Sequence, residues 1–239
     1  MITVITATHR RPDLLYRCIK AIQRQTLEDY EHIIVGDLCP KARKVVELVN
    51  DPRIKYYETP PDRPDNVGGI GKNIGVEKAS NDIICYCDDD NLLLPNALRD
   101  FYDNLTKFDY VIGRLYTTRY VPVGSGSTLF ILKLPFMNIG TCLTHSDDMI
   151  CYAHTKEIIR RVGGWHHMSE DIGVNEDGDL MRRLKDASTN YFYFGKHVAI
   201  YYNRMACVHP DVQYDKMLSN LKEDEIFVFP EETLNLREE

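Results

Sequence analysis

The sequence predicts an α/β fold, in which a mainly parallel central sheet is flanked by helices. Two observations predict it. Short β-branched apolar runs alternate with segments of helical periodicity through the first half of the chain, and those runs lack the polar alternation of a half-exposed strand. The strands are therefore expected to be buried on both faces. At 239 residues the chain is long enough to form one such domain with an ample core.

Net charge, hydropathy pattern and cysteine spacing limit the partners and the location that we expect for the protein. The formal net charge is -7 and the sequence pI is about 5.6, which argues against a nucleic-acid partner, because such a partner selects a basic surface. Neither a signal-peptide pattern nor a stretch approaching a membrane span is found, so we predict a cytoplasmic protein without a membrane span. The seven cysteines form no C-x-x-C pair, and we expect buried free thiols.

The first elements predict a β-α-β-α-β unit of the kind that binds mononucleotides in doubly wound sheets. Pro12 suits the first turn of a helix, and apolar residues recur at helical spacing after it. The remaining elements follow from the same periodicities. The expected strands are 2–7, 32–36 and 54–57, and the expected helices are 12–25 and 41–50.

The segment 58–71 is rich in proline and glycine and is predicted to be a loop, followed by a helix from Lys72. Its small residues would let the backbone approach a ligand closely; they are Asn66, Gly68, Gly69 and Gly71. The glycine spacing misses the dinucleotide-binding fingerprint by one residue and follows a loop rather than a strand. We therefore reject a dinucleotide site.

The rest of the chain alternates in the same way, with a flexible connection predicted at 122–128, where the sequence holds two glycines and two serines. Thr155 is the expected N-cap of one helix, and a glycine pair before Trp165 ends that helix. Strands are expected at 82–87, 109–117, 149–153, 191–194 and 198–202, and helices from 95, at 156–162 and after 176, with a partly helical tail over 215–239.

Three adjacent carboxylates, Asp88, Asp89 and Asp90, follow the buried strand at 82–87, and we refer to them as the acidic triad. In open α/β sheets, ligands bind at the carboxyl ends of the strands. Adjacent acids repel one another, and a hard divalent cation is the usual compensator; such a cation completes its shell with water and substrate phosphates. The triad therefore suggests a nucleoside diphosphate site. The alternative is a solvated acidic turn.

Taken together and in order, these motifs resemble the family 2 glycosyltransferases, which have the GT-A fold. The resemblance covers about the first 200 residues, which outweighs any single motif. It implies one Rossmann-like domain with a nucleotide-sugar-binding half at 1–117, an acceptor-binding half at 118–210 and a tail at 211–239. The residues that carry it are 2–8, 10–12, 33–37, 72–75, 88–91, 94–95, 163–165 and 176–177.

The resemblance implies a donor site at the ends of the first strands. Asp37 matches an acid that binds uracil, which favours a UDP-sugar, and Lys72 stands where the family usually has an arginine beside the nucleotide. The residues expected to bind the donor nucleotide are Ala7, Thr8, Arg10, Asp37, Asn66, Gly69, Lys72, Asp88 and Asp89.

The resemblance also implies the reacting groups. Asp90 would bind Mn²⁺ or Mg²⁺, with Asp88 and His209 as further candidate ligands. Asp177 matches the general base of inverting enzymes, with Glu176 as the second candidate. Trp165, Asp89 and Glu176 would contact the donor sugar or the acceptor. A helix-terminal acid at 177 and simple packing of the tryptophan are the alternatives.

The implied acceptor is a glycan or another hydroxyl compound, and a homo-oligomer is compatible with the sequence. The Gln-x-x-Arg-Trp motif of processive synthases does not follow Asp177, so we predict a single transfer per encounter. Two rival functions stay open at this point. One is a nucleotidyltransferase that makes sugar nucleotides, although its glycine-rich signature is missing after the first strand. The other is a binding subunit without turnover.

Overall fold

The computed structural model describes residues 1–61, 68–123, 126–133, 149–166 and 176–201. In chain order the elements are β1 (Ile2–Thr8), α1 (Pro12–Gln23), β2 (Tyr30–Gly36), α2 (Pro40–Val49), β3 (Ile54–Glu58), α3 (Gly68–Lys78), β4 (Ile83–Tyr86), β5 (Leu92–Leu93), α4 (Ala97–Leu105), β6 (Tyr110–Val123), β7 (Gly126–Lys133), a 3-10 turn (Met149–Cys151), β8 (Tyr152–Thr155), α5 (Lys156–Arg161), α6 (Glu176–Ala187) and β9 (Tyr191–Tyr201).

The strands of the described ranges form one sheet in the order β3-β2-β1-β4-β8-β6-β9-β5, with β7 paired to β6. The first four are parallel, as predicted from their unbroken apolar sequences. Beyond β4 the sheet is mixed, because β8 runs antiparallel to both β4 and β6, while β6 and β9 are parallel. The predicted α/β class is confirmed. The parallel strands provide the carboxyl ends at which ligands bind in open α/β sheets.

Local sequence explains the first helix and its packing. Pro12 opens α1 at the first helical position, and the helix buries Leu15, Cys18, Ile19 and Ile22. Two strands of the central sheet, β1 and β2, are buried along almost their whole length. The five cysteines among the described residues are free and buried, as predicted. In the same ranges, no helix combines the length and apolarity that a membrane crossing requires.

The loop prediction is wrong for its last residues, because Gly68, Gly69 and Gly71 lie inside helix α3 rather than before it. Gly71 and Gly75 allow this helix to pack closely on β1. A Cβ at Gly71 would lie 3.0 Å from the Cβ of Ala7, and one at Gly75 would lie 2.4 Å from Ile5 Cγ2. Tertiary packing thus overrides the low helix propensity of glycine.

The second half differs from the prediction at three points. In the segment 122–128, residues 122–123 and 126–128 are paired ends of β6 and β7, with Val123 opposite Gly126, rather than a flexible connection; residues 124–125 lie outside the described residues. A 3-10 turn precedes β8 where a strand was expected to begin. The two expected late strands are one strand, β9, with a register shift opposite Ile112 and Arg114 and a φ of 72° at Gly195. This irregularity resembles a bulge, which a glycine with positive φ accommodates.

We predict that Gly75→Ala lowers the free energy of unfolding by about 1–3 kcal/mol, since overpacking costs more than the roughly 1 kcal/mol that alanine adds to helix propensity. The new Cβ would meet the side chain of Ile5. In an Ile5→Ala background the same change should be neutral or stabilising, because it fills part of the space left there. Urea unfolding of the four proteins measures this, and an equal cost in both backgrounds would contradict the packing account.

Candidate active site

The carboxyl ends of β1, β2 and β4 meet the N-terminal ends of α3 and α6 at one edge of the sheet. The amide of Asp37, just after β2, donates to the carbonyl of Thr8 at the end of β1 (2.8 Å). The hydroxyl of Thr8 in turn donates to Asp89 Oδ2 of the acidic triad (2.6 Å). Parallel pairing of neighbouring strands therefore brings together polar residues that are distant in sequence, as expected for this fold class.

Asp89 is the buried member of the acidic triad, with 1% of its surface exposed. Arg11 lies against it, with Nη2 at 2.7 Å from Asp89 Oδ1 and Nη1 at 2.7 Å from Asp90 Oδ2. The first contact is an ion pair without hydrogen-bond geometry, since Asp89 Oδ1 has no hydrogen-bond partner within the described residues. One guanidinium thus faces two carboxylates of the triad.

Burial raises the pKa of Asp89 to about 7, although Arg11 and Thr8 act in the opposite direction. The pKa of Asp90 is also raised, first by burial and then by the negative charge of Asp88. The triad is therefore short of positive charge, and a cationic ligand would relieve that shortage.

Lys72 joins the acidic triad to α6. Its ammonium lies 3.3 Å from Asp88 Oδ1, 3.6 Å from Asp177 Oδ1 and 4.3 Å from the centre of the Trp165 ring. Its side chain is 7% exposed. Acids separated by 89 positions in the chain, Asp88 and Asp177, therefore meet at a single buried cation.

The first two carboxylates of α6, those of Glu176 and Asp177, face this centre. Burial raises the pKa of Asp177 while Lys72 opposes the shift, and the amide of Met149 lies 3.5 Å from Asp177 Oδ2. Burial likewise raises the pKa of Glu176, whose carboxylate accepts a hydrogen bond from the backbone of Gly69. Gly69, which was expected to approach a ligand from a loop, thus contacts an acid of α6 instead. The negative charge of that acid lies at the N-terminal end of α6, where it is favourable.

The position of α6 is fixed by Asp179 and Arg183. Arg183 Nε donates to Asp179 Oδ2 (2.7 Å), and its Nη1 donates to the carbonyls of Val162 and Gly164 (2.6 and 2.7 Å). These bonds tie the helix to the chain that follows α5. Asp179 is therefore a structural acid, whereas the two acids before it point toward Lys72 and Gly69.

Trp165 is held by two hydrogen bonds with Asn73 of α3. The Trp165 amide donates to Asn73 Oδ1 and the Asn73 amide group donates to the Trp165 carbonyl, both at 2.8 Å. A Cβ at Gly164 would lie 2.6 Å from Asn73 Oδ1, so glycine permits this approach. The indole is 3% exposed and packs edge-on against Tyr86, with ring centres 5.0 Å apart.

Asp37 lies on the other side of β1 and is buried. Its Oδ1 accepts from the hydroxyl of Thr59 (2.9 Å), and His9 Nδ1 lies 3.0 Å from its Oδ2. The carboxylate is thus oriented by two side chains and stands beside the end of β1.

The structure brings together most of the sequence-predicted site residues. Ala7 is half-buried against α3, whereas Arg10 is exposed at a φ of 54°. The arginine that faces the acids is Arg11, which sequence reasoning did not assign; its place directly before Pro12 was the available signal. Asn66 and His209 lie outside the described residues.

The residues present can hold a divalent cation, although in the part of the chain that the structure describes no group of three or more His, Cys, Asp or Glu converges as a metal site. Magnesium-like ions at phosphate sites need only one or two carboxylates plus substrate oxygens. Asp88 and Asp90 meet that requirement, with side chains 31% and 19% exposed. When all are ionised, the triad and Asp177 carry four negative charges against the two positive charges of Arg11 and Lys72.

Known proteins similar in sequence to this chain are named as glycosyltransferases. The sequence model of glycosyl transferase family 2 matches residues 3–167. The glycosyltransferase YwdF of Bacillus subtilis, whose activity is uncharacterised, is 32% identical over 111 residues, which are 46% of this chain and 40% of that protein. A Campylobacter jejuni GalNAc(5)-diNAcBac-PP-undecaprenol beta-1,3-glucosyltransferase is 35% identical over 100 residues, or 41% and 32% of the two chains. These alignments therefore span less than half the length of either relative.

Solved structures share the fold at lower identity. S. aureus TarS 1-349 in complex with UDP-GlcNAc aligns with a TM-score of 0.64 at 13% identity, covering 85% of this chain and 58% of that one. The mannosyltransferase PcManGT of Pyrobaculum calidifontis, in complex with GDP-Man and Mn²⁺, aligns with a TM-score of 0.57 at 16% identity, covering 84% and 56%. At such identities the likeness establishes the fold alone.

We predict that Asn73→Ala loosens Trp165, because it removes both hydrogen bonds that hold that backbone. Trp165 is the single tryptophan, so its fluorescence reports on this site alone. The emission should shift to longer wavelength, and acrylamide quenching should rise. Asn81→Ala, which removes a hydrogen bond to Thr3 at the opposite end of β1, is the control and should leave emission unchanged. Identical spectra for Asn73→Ala and the wild type would contradict the assignment.

Proposed function

The chain belongs to glycosyl transferase family 2 and has the GT-A fold, and from this premise we propose that it moves a sugar from a nucleoside diphosphate sugar to a hydroxyl acceptor, with inversion at the anomeric carbon. The resemblance stated from the sequence is thereby confirmed at the level of family and fold. One observation carries the proposal: the triad and Asp177 meet within reach of the Lys72 ammonium, at 3.3 and 3.6 Å from the nearest carboxylate oxygens.

Asp177 is the proposed general base. Inversion in one displacement requires a base that takes the acceptor proton while the hydroxyl attacks the anomeric carbon on the face opposite the diphosphate. The raised pKa of Asp177 makes its carboxylate a stronger base than a solvated aspartate, and Lys72 keeps negative charge tolerable beside it. Glu176 contacts the backbone of α3, which supports a positioning role for it beside the donor sugar.

The donor nucleotide is proposed to lie along the carboxyl ends of β1 and β2. Thr8 and Asp37 stand there, and the buried, oriented carboxylate of Asp37 suits a base with a ring N–H, which both uracil and guanine have. UDP-sugars are favoured because Asp37 matches the acid that binds uracil in the family. Lys72 is placed to attract the diphosphate, since its ammonium is the buried positive charge between the triad and α6. The halves 1–117 and 118–210 are proposed to bind donor and acceptor respectively.

Asp90 and Asp88 are the proposed ligands of Mn²⁺ or Mg²⁺. When bound, such an ion neutralises the charge that develops on the departing diphosphate. The partial exposure of both carboxylates and the shortage of positive charge around the triad support this assignment. Asp89, buried against Thr8 and Arg11, is proposed to contact ribose or donor sugar through Oδ1, which has no hydrogen-bond partner among the described residues. A single transfer per encounter is part of the same proposal.

We expect Asp177→Asn to lower the transfer rate by about 10²- to 10⁴-fold, because general-base catalysis contributes that much. Nucleotide binding should persist in this variant. Release of nucleoside diphosphate from a panel of UDP-, GDP- and other sugar nucleotides, with hydroxyl acceptors and manganese, measures the rate. Asp186→Asn, on the same helix with a side chain 70% exposed, is the matched control and should keep the wild-type rate. Undiminished transfer by Asp177→Asn would reject the base assignment.

We expect Asp90→Asn to abolish the gain in UDP affinity that manganese gives the wild type, because the Asp90 carboxylate would hold the ion that strengthens diphosphate binding. Calorimetric titration of the protein with UDP, once with manganese present and once with EDTA present, measures that gain. Asp103→Asn, an exposed change on α4, should retain it. Should Asp90→Asn keep the full gain, the metal would have to bind elsewhere.

A further inference from the structure

Arg11 is a charged residue of the site that the mechanism above does not use. It occupies the position before Pro12, where α1 begins, and the chain turns just ahead of it at Arg10, whose φ is 54°. Its guanidinium spans Asp89 Oδ1 and Asp90 Oδ2 at 2.7 Å each through different nitrogens. The side chain is 44% exposed, so it closes the triad from the solvent side.

The two carboxylates that Arg11 faces differ in their need for it. The side chain of Asp89 is fully buried, and an uncompensated buried carboxylate is costly. The side chain of Asp90 is 19% exposed, so water can replace the guanidinium there. Arg11 is therefore required at Asp89 and exchangeable at Asp90.

A divalent cation held by Asp90 would sit on the same carboxylate, whose Oδ2 accepts the hydrogen bond of Arg11. A guanidinium hydrogen-bonded to that oxygen and a metal ion on the same carboxylate are like charges a few ångströms apart, and like charges at that distance repel. Binding of one must therefore weaken binding of the other.

We propose that Arg11 is the resident counter-cation of the acidic triad, and that a divalent cation binds Asp90 only in exchange for the Arg11 guanidinium. This inference rests on the metal site assigned under the proposed function. Arg11 then acts as a positioning residue that sets metal affinity: it stays paired with Asp89 and releases Asp90 when the cation enters. In the free protein Arg11 pairs with both Asp89 and Asp90, and metal loading depends on the release of Asp90.

The test is the affinity of Mn²⁺ alone, measured from the loss of the free-ion electron paramagnetic resonance signal. Arg11→Gln should tighten Mn²⁺ binding about tenfold, which corresponds to about 1.4 kcal/mol, because it removes the competing charge. A merely structural role would leave the affinity unchanged or weaken it. Arg10→Gln is the matched control: it removes the same charge one position earlier, where the described residues show no ion pair to the triad, and should change the affinity far less.

Loss of Arg11 leaves the buried carboxylate of Asp89 without its ion-pair partner. The comparison is therefore repeated in an Asp89→Asn background, where no uncompensated charge is buried at that position. Arg11→Gln should tighten Mn²⁺ binding there as well, and Arg11→Lys, which keeps one charge without the two-pronged contact, should give an intermediate affinity. Unchanged or weaker Mn²⁺ binding in Arg11→Gln and Arg11→Lys would overturn the inference. The proposed function is judged separately, by nucleoside diphosphate release, and survives that result.

Discussion

The site depends on one buried positive charge, the ammonium of Lys72. It lies between a carboxylate that follows β4 and one that opens α6, with the face of Trp165 beside it. Without a cation here, two partly buried acids from separate parts of the chain would repel each other in a low-dielectric environment. The lysine thus makes it possible for the two halves of the described chain to place their acids at one point.

The backbone geometry of α3 places that lysine. Gly71 and Gly75 bring the helix close to β1, so that Lys72 lies beside the triad and the backbone of Gly69 donates to Glu176. The next residue along the helix, Asn73, binds the Trp165 backbone in both directions. A single short helix therefore carries the buried lysine, fixes the Trp165 backbone and contacts Glu176 of α6.

Sequence reasoning predicted what local pattern encodes and missed what distant contacts decide. The β-branched runs identified β1, β2 and β3, and Pro12 identified the start of α1. Both signals are local, because apolar β-branched residues favour buried strands and the proline ring fixes φ. The glycine-rich start of α3 was predicted as a loop. Glycine is favoured in this helix only because Gly71 packs against Ala7 and Gly75 packs against Ile5, and the sequence does not show those contacts. Arg11 was overlooked for a similar reason: its partners, 78 and 79 positions later, are adjacent only after β1 and β4 pair.

The antiparallel strand β8 has a consequence for how the protein is made. It fills the edge of β4 that β1 leaves open, yet its residues, Tyr152–Thr155, come about 70 positions after that strand. A growing chain on the ribosome therefore exposes an unpaired apolar edge, next to the acids, until those residues emerge. Exposed edges of this kind invite pairing with other chains. Truncations before β8 should consequently aggregate during synthesis rather than yield a shorter folded unit.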